Sequence, residues 1–136
     1  MKKETTNNQQ TLNISYLEYC KLIILAQQIV SENKKEIENK NSSTKLKYYD
    51  NELKKKYNLN EIIKDNQEIN IILRNNILIP NTNKFFEDYN ETGKNIRILA
   101  EKYDVSAPVI INKITEIGTY GSYLNRINQE GLPQEK

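Results

Sequence analysis

Histidine is absent from this chain, and Cys20 is its only thiol. These two gaps remove whole branches of chemistry. Zinc sites built on imidazole, cysteine clusters and the Ser–His or Cys–His couples of nucleophilic catalysis all need residues that are not there. One thiol also leaves nothing to form an internal disulfide. Long apolar runs are missing too. The longest strictly apolar stretch, Leu22 to Ala26, falls far short of the roughly 20 residues that span a bilayer. The opening MKKETTNNQQ is charged and then polar, without the apolar centre of a signal peptide, so a cytoplasmic location is expected. Nor does one sign of charge dominate: Lys and Arg number 20 against 18 Asp and Glu, a net charge of +2. A field that weak is no general attractant for nucleic acid. The imbalance is local, with cations in excess over residues 1–60, acids in excess over 61–93, and near neutrality from 94 onward.

Catalysis without His or Cys would fall to paired carboxylates, Lys or Tyr. Glu61, Asp65 and Glu68 follow helical spacing, but such rows usually face solvent. No enzyme activity, no cofactor and no metal are expected.

What is present reads as one small, mainly α domain of 136 residues, with 37% hydrophobic content for a modest core. Residues 1–13 are polar and are expected to form a disordered arm, residues 14–128 the helical domain, and residues 129–136 a disordered tail. A first helix is expected from Ser15. Tyr16, Leu17, Cys20, Ile23, Ile24, Gln27 and Val30 lie close to one face, and Leu22, Leu25 and Ile29 widen it. A helix so broadly apolar is expected to be central and buried, which would set Gln27 and Gln28 where a polar side chain is costly. Residues 39–44 read as a loop, and residues 45–57 as a helix on Leu46, Tyr49, Leu53 and Tyr57. Lys54, Lys55 and Lys56 beside Tyr48, Tyr49 and Tyr57 form a mixture that can grip single strands. A solvated face with inward tyrosines is the preferred reading. Residues 61–79 carry Ile62, Ile63, Ile69, Ile72, Leu73, Ile77 and Leu78, chiefly at helical spacing, with a strand over 69–73 as the alternative. Pro80 ends that element. A short helix is expected over residues 123–128.

The most informative stretch is residues 94–118. Ile96, Leu99, Ala100 and Tyr103 share one helical face. Asp104-Val105-Ser106 breaks the pattern, with Val105 plugging the angle and the Ser106 hydroxyl expected to cap the next helix. Pro108 suits a first helical turn. Val109, Ile110, Lys113, Ile114 and Ile117 carry the second helix, and Gly118 reads as its stop. This is a helix-turn-helix-like unit.

Upstream lie Ile77-Leu78-Ile79-Pro80 and Phe85-Phe86. The whole order, an apolar helix, Leu-x-Pro, an aromatic, a spacer, I-x-x-L-A-x-x-Y-x-V-S, a helix and Gly, resembles the C-terminal half of the ImmA/IrrE family over residues 68–118. That family comprises zinc metallopeptidase-like proteins of phages, mobile elements and stress responses. The resemblance implies that these helices are the helical part of a zincin-like fold. It aligns LAQQIVS, residues 25–31, with the family's L-A-H-E-x-x-H. The two ligand positions then carry Gln27 and Ser31, and the general-base position carries Gln28. A third ligand would fall on Ile69, with Glu68 one place away. Zinc peptidase chemistry needs two imidazoles one turn apart and a carboxylate to activate water, so the resemblance implies a pseudoenzyme.

Two functions compete. One is a catalytically inactive ImmA/IrrE-like phage or mobile-element protein that works through a protein partner, as a regulator or an inhibitor. The alternative is a helix-turn-helix DNA-binding regulator. It would expose Ser106, Ala107, Ile111, Asn112 and Thr115 to bases, with Lys94, Arg97 and Lys113 on phosphates. Glu101, Asp104 and Glu116 oppose that role, and the interaction reading is preferred.

Overall fold

The computed structural model describes residues 14–38, 41–64 and 66–133. The expected N-terminal arm, Asp65, part of the expected 39–44 loop and the last three residues lie outside the described residues. The molecule is mainly helical, with no strand among the described residues.

Helix α1, Tyr16–Glu32, starts with a reciprocal cap. The Glu18 amide donates to the Ser15 hydroxyl at 3.1 Å, and the Ser15 amide donates to the Glu18 carboxylate at 2.9 Å. Two orphan donors are satisfied at once. Tyr19, Cys20, Leu22, Ile23, Ala26 and Ile29 are buried, whereas Gln27, Gln28 and Ser31 are exposed. The expectation of a helix buried all round is therefore corrected. α1 covers one face only, so its glutamines meet water and carry no desolvation cost.

Asn33 ends α1 and ties the next segment to it. Its side-chain amide donates to the Ile29 carbonyl at 2.9 Å and to the Tyr57 hydroxyl at 2.8 Å, and its oxygen accepts from Tyr48 at 2.8 Å. Helix α2, Lys34–Glu38, follows, then α3, Ser42–Tyr48, whose first turn is capped by Asn41 accepting from the Thr44 amide at 2.9 Å. Residues 42–44 are thus helical, not loop, because the Asn41 side chain nucleates the turn. A π-helical turn, Tyr49–Leu53, runs on into α4, Lys54–Lys56. Tyr49 and Leu53 point inward, while Lys54 and Lys56 lie over the rings of Tyr49 and Tyr57 at 5.6 and 5.4 Å. The cations spend their aromatic partners within the domain.

Helix α5 is Leu59–Ile63, and α6 is Gln67–Leu78. Asn66 caps α6 by accepting from the Glu68 and Ile69 amides, so the β-branched run 69–73 is helix and not strand. α6 lies along α1. With Tyr49, Leu53, Leu59, Ile63 and Tyr120 they form the first core. A second core gathers Leu78, Ile79, Phe85, Leu99, Val105, Val109 and Ile110. It joins α7, Thr82–Glu91, to α8, Ile96–Tyr103, and α9, Ala107–Thr119.

The helix-turn-helix-like unit is present. Asn95 caps α8, Asp104 turns left-handed at φ 54°, and the buried Val105 donates its amide to the Ala100 carbonyl at 3.0 Å. Two details differ from expectation. Ser106 stands at the cap position of α9, but its hydroxyl makes no capping bond. Gly118 is no stop: α9 continues to Thr119, and after Tyr120 the chain enters α10, Gly121–Glu130. The short helix expected over 123–128 is longer at both ends, and residues 129 and 130 are helical, not tail. No helix among the described residues is long and apolar enough to cross a membrane.

Candidate functional site

Between the two cores runs a buried polar seam. Lys113 and Glu116 sit one turn apart on α9 and are both buried, with Nζ and Oε1 3.7 Å apart. The Lys113 amine donates to Asn76 Oδ1 at 2.9 Å and to Thr82 Oγ1 at 2.8 Å. The Glu116 carboxylate accepts from Asn76 Nδ2 at 3.0 Å, from Asn75 Nδ2 at 3.2 Å and from the Tyr19 hydroxyl of α1. Burial pulls the Lys113 amine below the ordinary lysine range, and Glu116 pulls it back up. Burial, then the Glu116 charge, pushes the Tyr19 hydroxyl above the ordinary tyrosine range. The Tyr120 ring stacks on Tyr19 at 4.9 Å, and its hydroxyl donates to Glu68 at 2.6 Å. Each charged atom has partners and neither charged side chain is open to substrate. The seam fixes α1, α6, α7 and α9 relative to one another.

Above the seam lies a groove. Its wall on one side is α7, and on the other the junction of α9 with α10. Three depressions of 330, 360 and 160 Å³ follow one another and share residues. The first and second meet at Thr82, Asn83, Leu124 and Asn128, and the second and third at Phe86, Ile117 and Gly118. At the first meeting point, Asn83 and Asn128 bond reciprocally, amide to carbonyl, at 3.2 and 3.4 Å. Phe86 is 46% exposed. Among the described residues no Lys, Arg, Asp or Glu lines any of the three depressions, although such residues make up 28% of the chain.

Two glycines form part of this wall, and neither is required by the backbone. Gly93 and Gly131 have positive φ, whereas Gly118 and Gly121 do not. A methyl group added at Gly118 or Gly121 would meet nothing within 4 Å. At Gly118, inside α9, helix propensity favours Ala by up to about 1 kcal/mol. Glycine leaves the groove open.

The residues expected to touch DNA separate. Ser106, Ala107, Ile111 and Thr115 are exposed, as are Lys94 and Arg97; Asn112 is half-buried, and its carbonyl accepts from Asn75 at 3.3 Å. Lys113 is the correction. Its place on the apolar face of α9 wins over any phosphate role, because Glu116, Asn76 and Thr82 hold it inside. Glu116, expected to repel phosphate, is inside with it. Lys94 and Arg97 remain exposed, as do the acids Glu101 and Asp104, and the Lys102 amine sits 3.3 Å from Asp88.

Of the positions aligned with a zinc site, Gln27, Gln28 and Ser31 share the exposed side of α1, and Glu68 stands apart on α6. Gln27 borders the first depression, Gln28 donates to Glu32 at 3.4 Å, and Ser31 faces solvent. Glu68 borders a different depression, beside Asn112 and Thr115. Among the described residues no three His, Cys, Asp or Glu side chains cluster as a metal site. The groove itself escaped sequence reasoning. Its one signal was the doublet Phe85-Phe86. Successive helical residues point about 100° apart, so one ring of the pair tends to leave the buried face.

No family model matches the chain, and neither a curated protein nor a solved structure matches it. The likeness to the ImmA/IrrE family therefore rests on the residues quoted for it.

Proposed function

We propose that this protein is a catalytically inactive, ImmA/IrrE-like module of phage or mobile-element type that regulates or inhibits a protein partner by binding it through the groove beside Phe86. The observation that carries the reading is the groove whose described lining holds no charge and which borders Gly118 and Gly121, where Ala would fit and, at Gly118, would favour the helix. Its exposed aromatic is the kind of anchor that dominates protein interfaces. The alternative, duplex DNA read by α9, has an exposed stripe of Ala107, Ile111 and Thr115 in its favour. Its exposed cations Lys94 and Arg97 are matched in number by the exposed acids Glu101 and Asp104, and counterion release from so few phosphates gives weak binding.

A photo-cross-linking residue placed at position 86, and separately at 111, tests the choice in cells that naturally carry the protein. The proposal expects a discrete protein adduct from position 86, lost when Ile117→Lys is added, and no nucleic-acid adduct from 111. A DNA adduct from 111 with position 86 silent would reject it.

A further inference from the structure

We infer that the groove takes an extended, uncharged stretch of the partner polypeptide, held by its main chain on Asn83 and Asn128 and by an apolar side chain against Phe86. The inference rests on the interaction reading and names the chemistry of the occupant.

The argument starts from charge. With no Lys, Arg, Asp or Glu among the described residues on the three depressions, a charged side chain entering them would lose hydration and find no counter-charge in their described lining, a strong penalty against charged occupants. A neutral segment loses nothing of the kind. The second step is the amide pair. A carboxamide carries two N–H donors and two acceptor lone pairs, and the reciprocal bond between Asn83 and Asn128 uses one of each on both residues. Each exposed amide keeps one donor and one acceptor, which is the complement of one peptide unit. Gln27, Asn81 and Asn125 add further carboxamides along the same groove. An extended main chain offers unpaired N–H and C=O groups to match them, as in strand addition. A helix does not, since its own ladder has consumed those groups. The third step is the anchor. Phe86, Ile117 and Leu124 border the 360 Å³ depression, room for one aliphatic or aromatic side chain.

The probe is a random 12-residue peptide library displayed on phage and selected on the full chain. Enriched peptides are then synthesised and titrated by fluorescence anisotropy. The expected result is an uncharged core with a large apolar residue. N-methylation of core amides should weaken binding about tenfold, the scale of a lost hydrogen bond or two. Asn83→Asp and Asn128→Asp should each do the same, while Lys94→Glu leaves affinity unchanged. All of these positions are exposed, and matching melting curves will show that the variants fold. Peptides that turn helical on binding, that carry charged cores, or that ignore N-methylation and both Asn substitutions would overturn the inference. So would a library that enriches nothing, including the case in which sedimentation finds a second copy occupying the groove. If the cross-linker at position 86 still finds a partner in that event, the interaction reading stands and only the extended occupant falls. If the cross-linker fails, the interaction reading falls whatever the peptides do.

Discussion

Lys113 and Asp88 are two buried charges held in opposite ways. Among the described residues the Lys113 amine has a single carboxylate beside it, and neutral oxygens supply the rest. Removing Glu116 alone strands an amine in the interior, a change of about 3–5 kcal/mol in comparable pairs, whereas replacing both by neutral groups of similar size often restores stability. Glu116→Ala is therefore expected to lower the urea midpoint sharply, and Lys113→Met with Glu116→Gln to recover most of the loss. A double variant no better than the single would show that the seam does not work as a pair. Asp88 accepts from the Tyr103 hydroxyl at 2.5 Å and lies 3.3 Å from the amines of Lys84 and Lys102. The Tyr103 bond first, then the two lysines, hold its carboxyl below the ordinary aspartate range. A folded value below the unfolded one means stability that is present above the unfolded pKa and lost as pH falls through the folded one. The gap in melting temperature between wild type and Asp88→Asn should stay constant from neutral pH down to about 5 and narrow below about pH 4. A gap that does not change with pH would contradict the assignment.

At the scale of elements, α8 and α9 share the second core, with Leu99 fully buried in it. An unpaired charge there costs on the order of the whole stability of a small domain. Leu99→Asp should abolish the cooperative thermal transition; a normal melt would contradict the packing. Gly118 makes the opposite prediction. Gly118→Ala should raise the melting temperature, since the methyl meets no neighbour, while weakening partner capture by narrowing the groove. A variant both more stable and fully competent would remove the argument from glycine. Much of this arrangement was legible in sequence because it is local: the Ile96–Tyr103 periodicity, the break at Asp104 and the Val105 plug all lie within a few residues. Lys113 was legible as part of the inner face of α9, but not as a buried ion. Its partners Asn76 and Thr82 sit more than thirty residues upstream, and nothing local announces them. α9 runs past its expected stop because Gly118, normally a stop signal, lies within the helix and has no positive φ.

The whole molecule is two apolar cores bound by a polar seam, with the uncharged groove above that seam and the nearly neutral face of α8 and α9 elsewhere. The groove needed α1, α6, α7, α9 and α10 assembled, so no window of sequence contains it. The central claim is that the working surface is this groove and not the exposed face of α9. The most direct measurement is an amide-by-amide NMR titration of the ¹⁵N-labelled chain, once with the cross-linked partner and once with a random-sequence duplex at physiological salt. The account predicts that the partner shifts amides of residues 82–89, 114–118 and 121–128, and that the duplex shifts almost none. Partner-silent groove amides, with duplex-induced shifts running through residues 94–97 and 106–115, would contradict it.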